Sequence, residues 1–454
     1  MSTTRSKQVD RVLVVGTTSD YVDLIGRRLP SRCLFLTDSA VRAAAREPAP
    51  NATDEVVCSL ADRPESVHAA LTAHLDQHDL RLAGIVCFDC ESMPLAAELA
   101  DWFDFDYPSR RAVATARNKH ATTELWRRAG LPCPRSELVH DANEAVAMQR
   151  RIGAPVVLKP LSGSGSELVF ACRDEADCRA AFDVVLSRLA SHRDARMYAP
   201  IVGAAGTLDP RQVFIAEELI EGTEMSCDFV VEEQAVRIIR ICRKISMPGE
   251  PLGTVRAYVT PVELRDAGAL ARLRRQLAAA AEALGIRRAI CVVDMVLRDG
   301  QFVMLELAPR LAGDCLPALT RASTGLDVFA FALDFALGEL PAIPPSGPEP
   351  RVAVRFLAAN EGIITRLDTS LLEADPRVLQ LEIVRGVGEE VVLPPASYDM
   401  RLLGYAIFRP SGDVSIEQQC AELEGSILVE IEPPAGEAKA ASGGGSPLTT
   451  ARVS

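Results

Sequence analysis

One hairpin constrains this chain more than any other stretch. Residues 289–314 read AICVVDMVLRDGQFVMLELAPRLAGD, two apolar runs separated by Arg298-Asp299-Gly300. Asp-Gly between apolar runs is a hairpin signal. One carboxylate interrupts each run, Asp294 in the first and Glu306 in the second. A two-residue loop at Asp299-Gly300 pairs Asp294 with Leu305 and turns Glu306 to the other face. A three-residue loop with Gly300 left-handed pairs Asp294 with Met304, leaving Glu306 one diagonal away on the same face. The second register also gathers Val293, Met295, Leu297, Val303, Leu305 and Leu307 on one core face, so the apolar pattern favours it.

An acidic pair then projects from a sheet with a dry layer behind it. Two like charges about 4 Å apart repel by about 1 kcal/mol in water and about 4 kcal/mol at an effective dielectric of about 20. Such a pair calls for a cation or a shared proton. Oxygen-only ligands suit a hard ion, Mg2+ or Mn2+, and Mg2+ commonly joins one or two carboxylates to a substrate phosphate. The hairpin alone also admits a pair of solvated surface acids.

Composition narrows the setting. The 454 residues suffice for roughly two to four domains or subdomains. A net charge of -13 argues against a general nucleic-acid or anionic-membrane binder. The first residues, MSTTRSKQVDR, lack the apolar core of a signal peptide, and no apolar run reaches the length of a membrane span. The 12 cysteines are scattered, several inside apolar runs (Cys87, Cys227, Cys291), which fits reduced thiols and a cytoplasmic location. Cys87 and Cys90 form a lone CxxC that carries no redox or zinc assignment.

Along the chain, residues 11–16, 33–36, 55–58 and 84–88 read as short buried strands with helical stretches between them. That alternation predicts a doubly wound parallel sheet. Gly16-Thr17-Thr18-Ser19 is not a dinucleotide fingerprint, so this first domain is expected to contribute one wall of a substrate cleft. Residues 155–160 form a strand that delivers Lys159 into the loop Leu161-Ser162-Gly163-Ser164-Gly165-Ser166. Backbone N–H groups beside a lysine can close over phosphates, although the order of a Walker loop is absent. Residues 213–220 form a further strand, closed by Glu221-Gly222-Thr223-Glu224. Arg240, Arg243 and Lys244 make a local basic cluster. Residues 341–350 are a linker, followed by a small strand-rich domain. Residues 434–454 are rich in Ala, Gly and Ser and expected to be disordered.

Lys119, Lys159 with its Ser/Gly loop, Glu217 to Glu224, Asp294 and the run Glu306-Leu307-Ala308-Pro309-Arg310 occur in an order that resembles the ATP-grasp superfamily, and more closely its carboxylate–amine ligases of the L-amino acid ligase kind. The resemblance runs from about residue 10 to about residue 430. It implies an α/β fold, α+β in its central part, built as follows: an N-terminal domain over 1–113, a lid over 114–222, a catalytic core over 223–342 and a C-terminal strand-rich domain over 343–433. It also implies ATP held between two antiparallel sheets. Lys119 and Lys159 would bind the α- and β-phosphates, and Ser164, Gly165 and Ser166 would fold over the triphosphate. Glu217, with Glu218 beside it, would accept from the adenine amino group while Leu219 and Ile220 read the ring edge. Glu224 would hold the ribose, and Asp294 and Glu306 the Mg2+.

The resemblance also implies small-molecule partners, a carboxylate and an amine, joined through an acylphosphate, with room for a homodimer. Arg310 would serve the transition state, its planar fork matching a carboxylate or phosphoryl oxygen. Arg256 and the cluster Arg243-Lys244 are weaker candidates for gripping a substrate carboxylate, and the loop over 245–254 is expected to border the amine. One position departs from the pattern: Ala308 stands where an Asn usually supplies a metal ligand, and Asp314 is the nearest candidate substitute. The departure leaves room for a decayed, regulatory nucleotide binder, and the resemblance also admits an acceptor that is not an amino acid.

Overall fold

The computed structural model describes residues 9–192, 194–203, 206–247, 249–264 and 266–433. The tail over 434–454 lies outside the described residues. The N-terminal part is a parallel four-stranded sheet. Its strands run Glu55–Cys58, Cys33–Asp38, Val9–Val15 and Leu80–Val86 from edge to edge. The expected doubly wound arrangement is therefore present.

A second, antiparallel sheet contains Ser136–Val139, Phe214–Glu218, Val156–Pro160 and Phe170–Cys172. Alternation along these strands sorts their side chains. Val156, Leu158, Phe214 and Ala216 pack under the helices Ala142–Ile152 and Glu175–Ala190. The opposite set, Val157, Lys159 and Glu217, faces a cleft.

The third sheet is antiparallel and eight-stranded. In order its strands are Gln301–Ala308, Arg288–Arg298, Thr223–Glu232, Ala235–Ser246, Val255–Thr260, Arg351–Leu357, Leu402–Phe408 and Val378–Ile383. The C-terminal strands thus continue the central sheet. Only Gly362–Asp368, Glu390–Val391 and Leu428–Glu432 form a small sheet of their own. The helix Lys119–Arg128 packs on this central part: Trp126 is buried in its core and donates to the Ala280 carbonyl at 3.1 Å. An ion pair between Asp228 and Arg240, 2.6 Å long, is buried inside the sheet. Asp228 also accepts from the Ala312 N–H, pinning the loop that leaves the hairpin.

At the hairpin the expected loop length is corrected. Arg298 pairs with Gln301, and Asp299 and Gly300 have φ of 51° and 77°, the two-residue turn that suits strand twist. That turn alone would bury Glu306. A bulge at Leu305 inserts one residue and restores the face, so Asp294 pairs directly with Glu306. The core row is correspondingly Val293, Met295, Leu297, Phe302, Met304 and Leu307; Val303 and Leu305 are not part of it. Among the described residues no helix is long and apolar enough to cross a membrane.

Candidate active site

Between the second sheet and the central sheet lies a cleft of about 950 Å³. Lys119, Lys159, Ser164, Ser166, Glu217, Glu218, Leu219, Ile220, Glu224, Asp294 and Glu306 all line it. Gly165 does not. It sits at the crest of the Ser/Gly loop, where φ of 68° suits glycine.

Cations and anions alternate across the cleft. Lys159 Nζ lies 2.6 Å from Glu217 Oε2, both groups buried. Lys119 Nζ lies 3.4 Å from Glu306 and donates to the Gly163 carbonyl at 3.0 Å, tying the phosphate-type loop to the hairpin. Lys244 Nζ lies 2.8 Å from Asp294 Oδ2. Burial alone would raise the Glu306 carboxyl, but Lys119, Lys159 and Lys244 outweigh it and hold the group below its ordinary range. Burial works to lower Lys244, and Asp294 more than offsets it, so its ammonium is held charged.

In sequence Lys244 stands out only as part of the Arg243-Lys244 cluster expected to grip a substrate carboxylate; in the structure it lines the nucleotide cleft on Asp294 instead. The signal was there: once its strand pairs with Thr223–Glu232, position 244 shares a face with Glu224, Ser226 and Asp294.

Several expectations are corrected by what their groups already touch. Arg243 points to Glu417 at 2.9 Å and Arg256 forks onto Glu424, both on the C-terminal helix Ile416–Glu424, and neither lines the cleft. Asp314 is no substitute metal ligand, because it does not line the cleft and points to Arg355 at 3.1 Å. The Leu219 N–H is already donated to the Pro155 carbonyl, which leaves ring-edge contacts to its neighbours. Glu218 is engaged by Arg135 at 3.1 Å. The loop after Ser246 reaches the nucleotide side: Leu252 and Gly253 line the cleft, and a Cβ on Gly253 would stand 2.5 Å from Ser166 Oγ. Arg310 lies outside the cleft. It lines a second cavity of about 440 Å³ against the N-terminal domain, its Nε donating to Cys90 Sγ at 3.0 Å.

The donor set fits a nucleotide carrying a divalent ion. Glu217 Oε1 is buried with no partner, an acceptor waiting for a donor. Three ammonium groups meet the region where phosphates would lie. Among the described residues no third metal-binding side chain joins Asp294 and Glu306, and Ala308 supplies none. An ion here would complete its shell with water and phosphate, the usual habit of Mg2+.

Comparison with known proteins identifies the domain and the fold. Residues 152–318 match the ATP-grasp domain. The carbamoyl phosphate synthase large chain of Thermus thermophilus is 23% identical over 345 residues, 71% of this chain but 31% of that protein. This chain therefore spans about a third of that relative. D-alanine–D-alanine ligase B of Chromobacterium violaceum is 32% identical over 130 residues, covering 29% of this chain and 35% of the relative. In three dimensions the L-amino acid ligase of Bacillus licheniformis superposes with a TM-score of 0.73 at 17% identity, covering 94% of this chain and 100% of that one. The protein has the ATP-grasp fold, with its ATP-grasp domain over residues 152–318.

Proposed function

We propose that the protein is an ATP-dependent carboxylate–amine ligase that joins an amino acid or small carboxylic acid to an amine. The observation that carries this reading is the directly opposed pair Asp294 and Glu306 in a cleft with Lys119, Lys159 and Lys244. Lys119 and Lys159 hold the α- and β-phosphates, and the Ser/Gly loop covers the triphosphate. Glu217 and Glu218 mark the adenine end, with Leu219 and Ile220 along the ring, and Glu224 meets the ribose. Asp294 and Glu306 would hold a Mg2+ or Mn2+ ion, which would supply charge neutralisation for the nucleotide's phosphates. The carboxylate oxygen of the acid attacks the γ-phosphorus and ADP leaves. The amine then attacks the acyl carbon, phosphate leaves and the amine loses a proton. Such chemistry asks for placement and neutralisation and needs no side-chain nucleophile.

Arg310, half-buried and hydrogen-bonded to Cys90 Sγ and the Leu311 carbonyl, would hold the acid's carboxylate. All cysteines are free thiols, which supports a reducing, cytoplasmic setting. The test is a panel of acids and amines scored by ADP release and by product mass. Amide product from at least one pair supports the reading, and ATP binding with no substrate-dependent hydrolysis on any pair contradicts it.

A further inference from the structure

The loop that joins the strands Ala235–Ser246 and Val255–Thr260 is tied to the rest of the protein at one point. Its own turns close it: the Glu250 N–H donates to the Met247 carbonyl at 3.3 Å, and the Thr254 N–H to the Pro251 carbonyl at 3.0 Å. Among the described residues, a single hydrogen bond leads from residues 249–253 to anything outside the loop. Arg401 makes it, its Nη1 donating to Glu250 Oε2 at 2.6 Å.

Arg401 is a firm base for that bond. It immediately precedes the strand Leu402–Phe408 of the central sheet, and its carbonyl accepts from the Ala358 N–H at 2.8 Å. It is 6% exposed, its Nε has no partner, and among the described residues its ion-pair partner is Glu250 alone. The Glu250 side chain is less enclosed, at 29% exposed. Parting the two returns the carboxylate to water but leaves a buried guanidinium without a counter-charge, the costly half of a broken pair. The bond therefore favours the loop where it stands.

The loop stands against the cover of the nucleotide cleft. Leu252 and Gly253 line the cleft, and a Cβ on Gly253 would press on Ser166, so at a φ of 83° only glycine fits this approach. Of the serines in the Ser/Gly loop, Ser162 is fastened to the Met197 carbonyl at 3.1 Å, while among the described residues Ser164 and Ser166 carry no side-chain hydrogen bond. The crest of that loop rests on Gly253 instead. Contacts thus run in series from the C-terminal part to the cleft, Arg401 to Glu250 and Gly253 to Ser166, although no residue beyond Glu306 lines the cleft itself.

We propose that Arg401 and Glu250 are positioning residues of the nucleotide site. Their ion pair sets residues 249–253 against Ser166, and so keeps the Ser/Gly loop down over the phosphates of a bound adenine nucleotide. The C-terminal part thereby governs how long the nucleotide stays. This rests on the nucleotide reading of the cleft and is independent of which acid and amine are joined.

The test is a release rate. N-methylanthraniloyl-ADP is loaded onto the full chain with Mg2+ and chased with excess ADP in a stopped-flow instrument. Glu250→Gln and Arg401→Met are each expected to speed release about tenfold, and the double variant to be no faster than either, because both remove one contact. Arg401→Lys keeps a charge where a single nitrogen is used, and is expected to restore most of the native rate. Arg287→Gln, which breaks an exposed pair with Glu233, is expected to release at the native rate. Circular dichroism establishes that each variant is folded, and if Arg401→Met is not, Glu250→Gln and Arg401→Lys decide. Native release from folded Glu250→Gln, effects that add in the double variant, or equal acceleration by Arg287→Gln overturns the positioning role and leaves the cleft a nucleotide site. A native protein that takes up no labelled ADP overturns both.

Discussion

Asp294 and Glu306 stand opposite each other across the hairpin, and each already has a lysine: Lys244 at 2.8 Å and Lys119 at 3.4 Å. A divalent ion entering without a nucleotide must displace both ammonium groups. Phosphates arriving with it give those lysines new partners. Mn2+ alone is therefore expected to bind weakly, and to bind at least about tenfold more tightly with ADP present. Lys244→Met should raise the nucleotide-free Mn2+ affinity. Electron paramagnetic resonance of free Mn2+ reads both, and nucleotide-independent affinity in the native protein would count against the exchange of partners.

Glu306→Ala and Arg310→Ala should each lower turnover by roughly a hundredfold or more while the fold persists. Glu306→Ala removes one of the two proposed metal ligands, and Arg310→Ala the guanidinium proposed for the acid. Near-normal ADP release by either folded variant under saturating substrate would remove that residue from the account.

The Asp228–Arg240 pair predicts a stability effect without a contact to substrate. Arg240→Met leaves Asp228 as a buried, unpaired charge, at a cost of about 3–5 kcal/mol. Replacing both residues with apolar ones should cost clearly less. Urea unfolding distinguishes the two. Asp228 also holds the Ala312 N–H, so the single variant should loosen the loop after Arg310 as well.

Glu91 gives a pH signature. Its carboxyl is raised from 4.5 to about 7 by burial and by Asp89, with Asp194 adding and Arg196 opposing; Arg117 and Cys90 also border it. Between those values the folded protein retains a proton that the unfolded chain releases. Its stability contribution is thus full below the unfolded value and is lost as pH rises through about 7. Denaturant midpoints at about pH 5 and about pH 8 should show that decline, and Glu91→Gln should flatten it. An unchanged slope in the variant would contradict the assignment.

Much of this was legible in the sequence, for physical reasons that differ by element. Asp299-Gly300 announces its turn locally, and strand–helix alternation announces the parallel sheet. The carboxylates sharing a face was legible too, yet by the wrong route, because a bulge at Leu305 leaves no mark in the apolar pattern. Lys244 and Arg243 look equivalent in sequence. Only the long-range pairing of their strand sends Lys244 to the cleft and Arg243 to Glu417. Arg310 is conspicuous after Pro309, but that it looks into the N-terminal domain depends on how three sheets assemble.

The proposed activity depends on two acids from adjacent strands holding a divalent ion against a nucleotide's phosphates. A crystal grown with Mn2+ and a non-hydrolysable ATP analogue tests it most directly, through the anomalous signal of the metal. A peak is expected between the carboxylates of Asp294 and Glu306, with phosphate oxygens completing the shell. A nucleotide bound in the cleft with its metal elsewhere, or with those carboxylates still on Lys244 and Lys119, would contradict it.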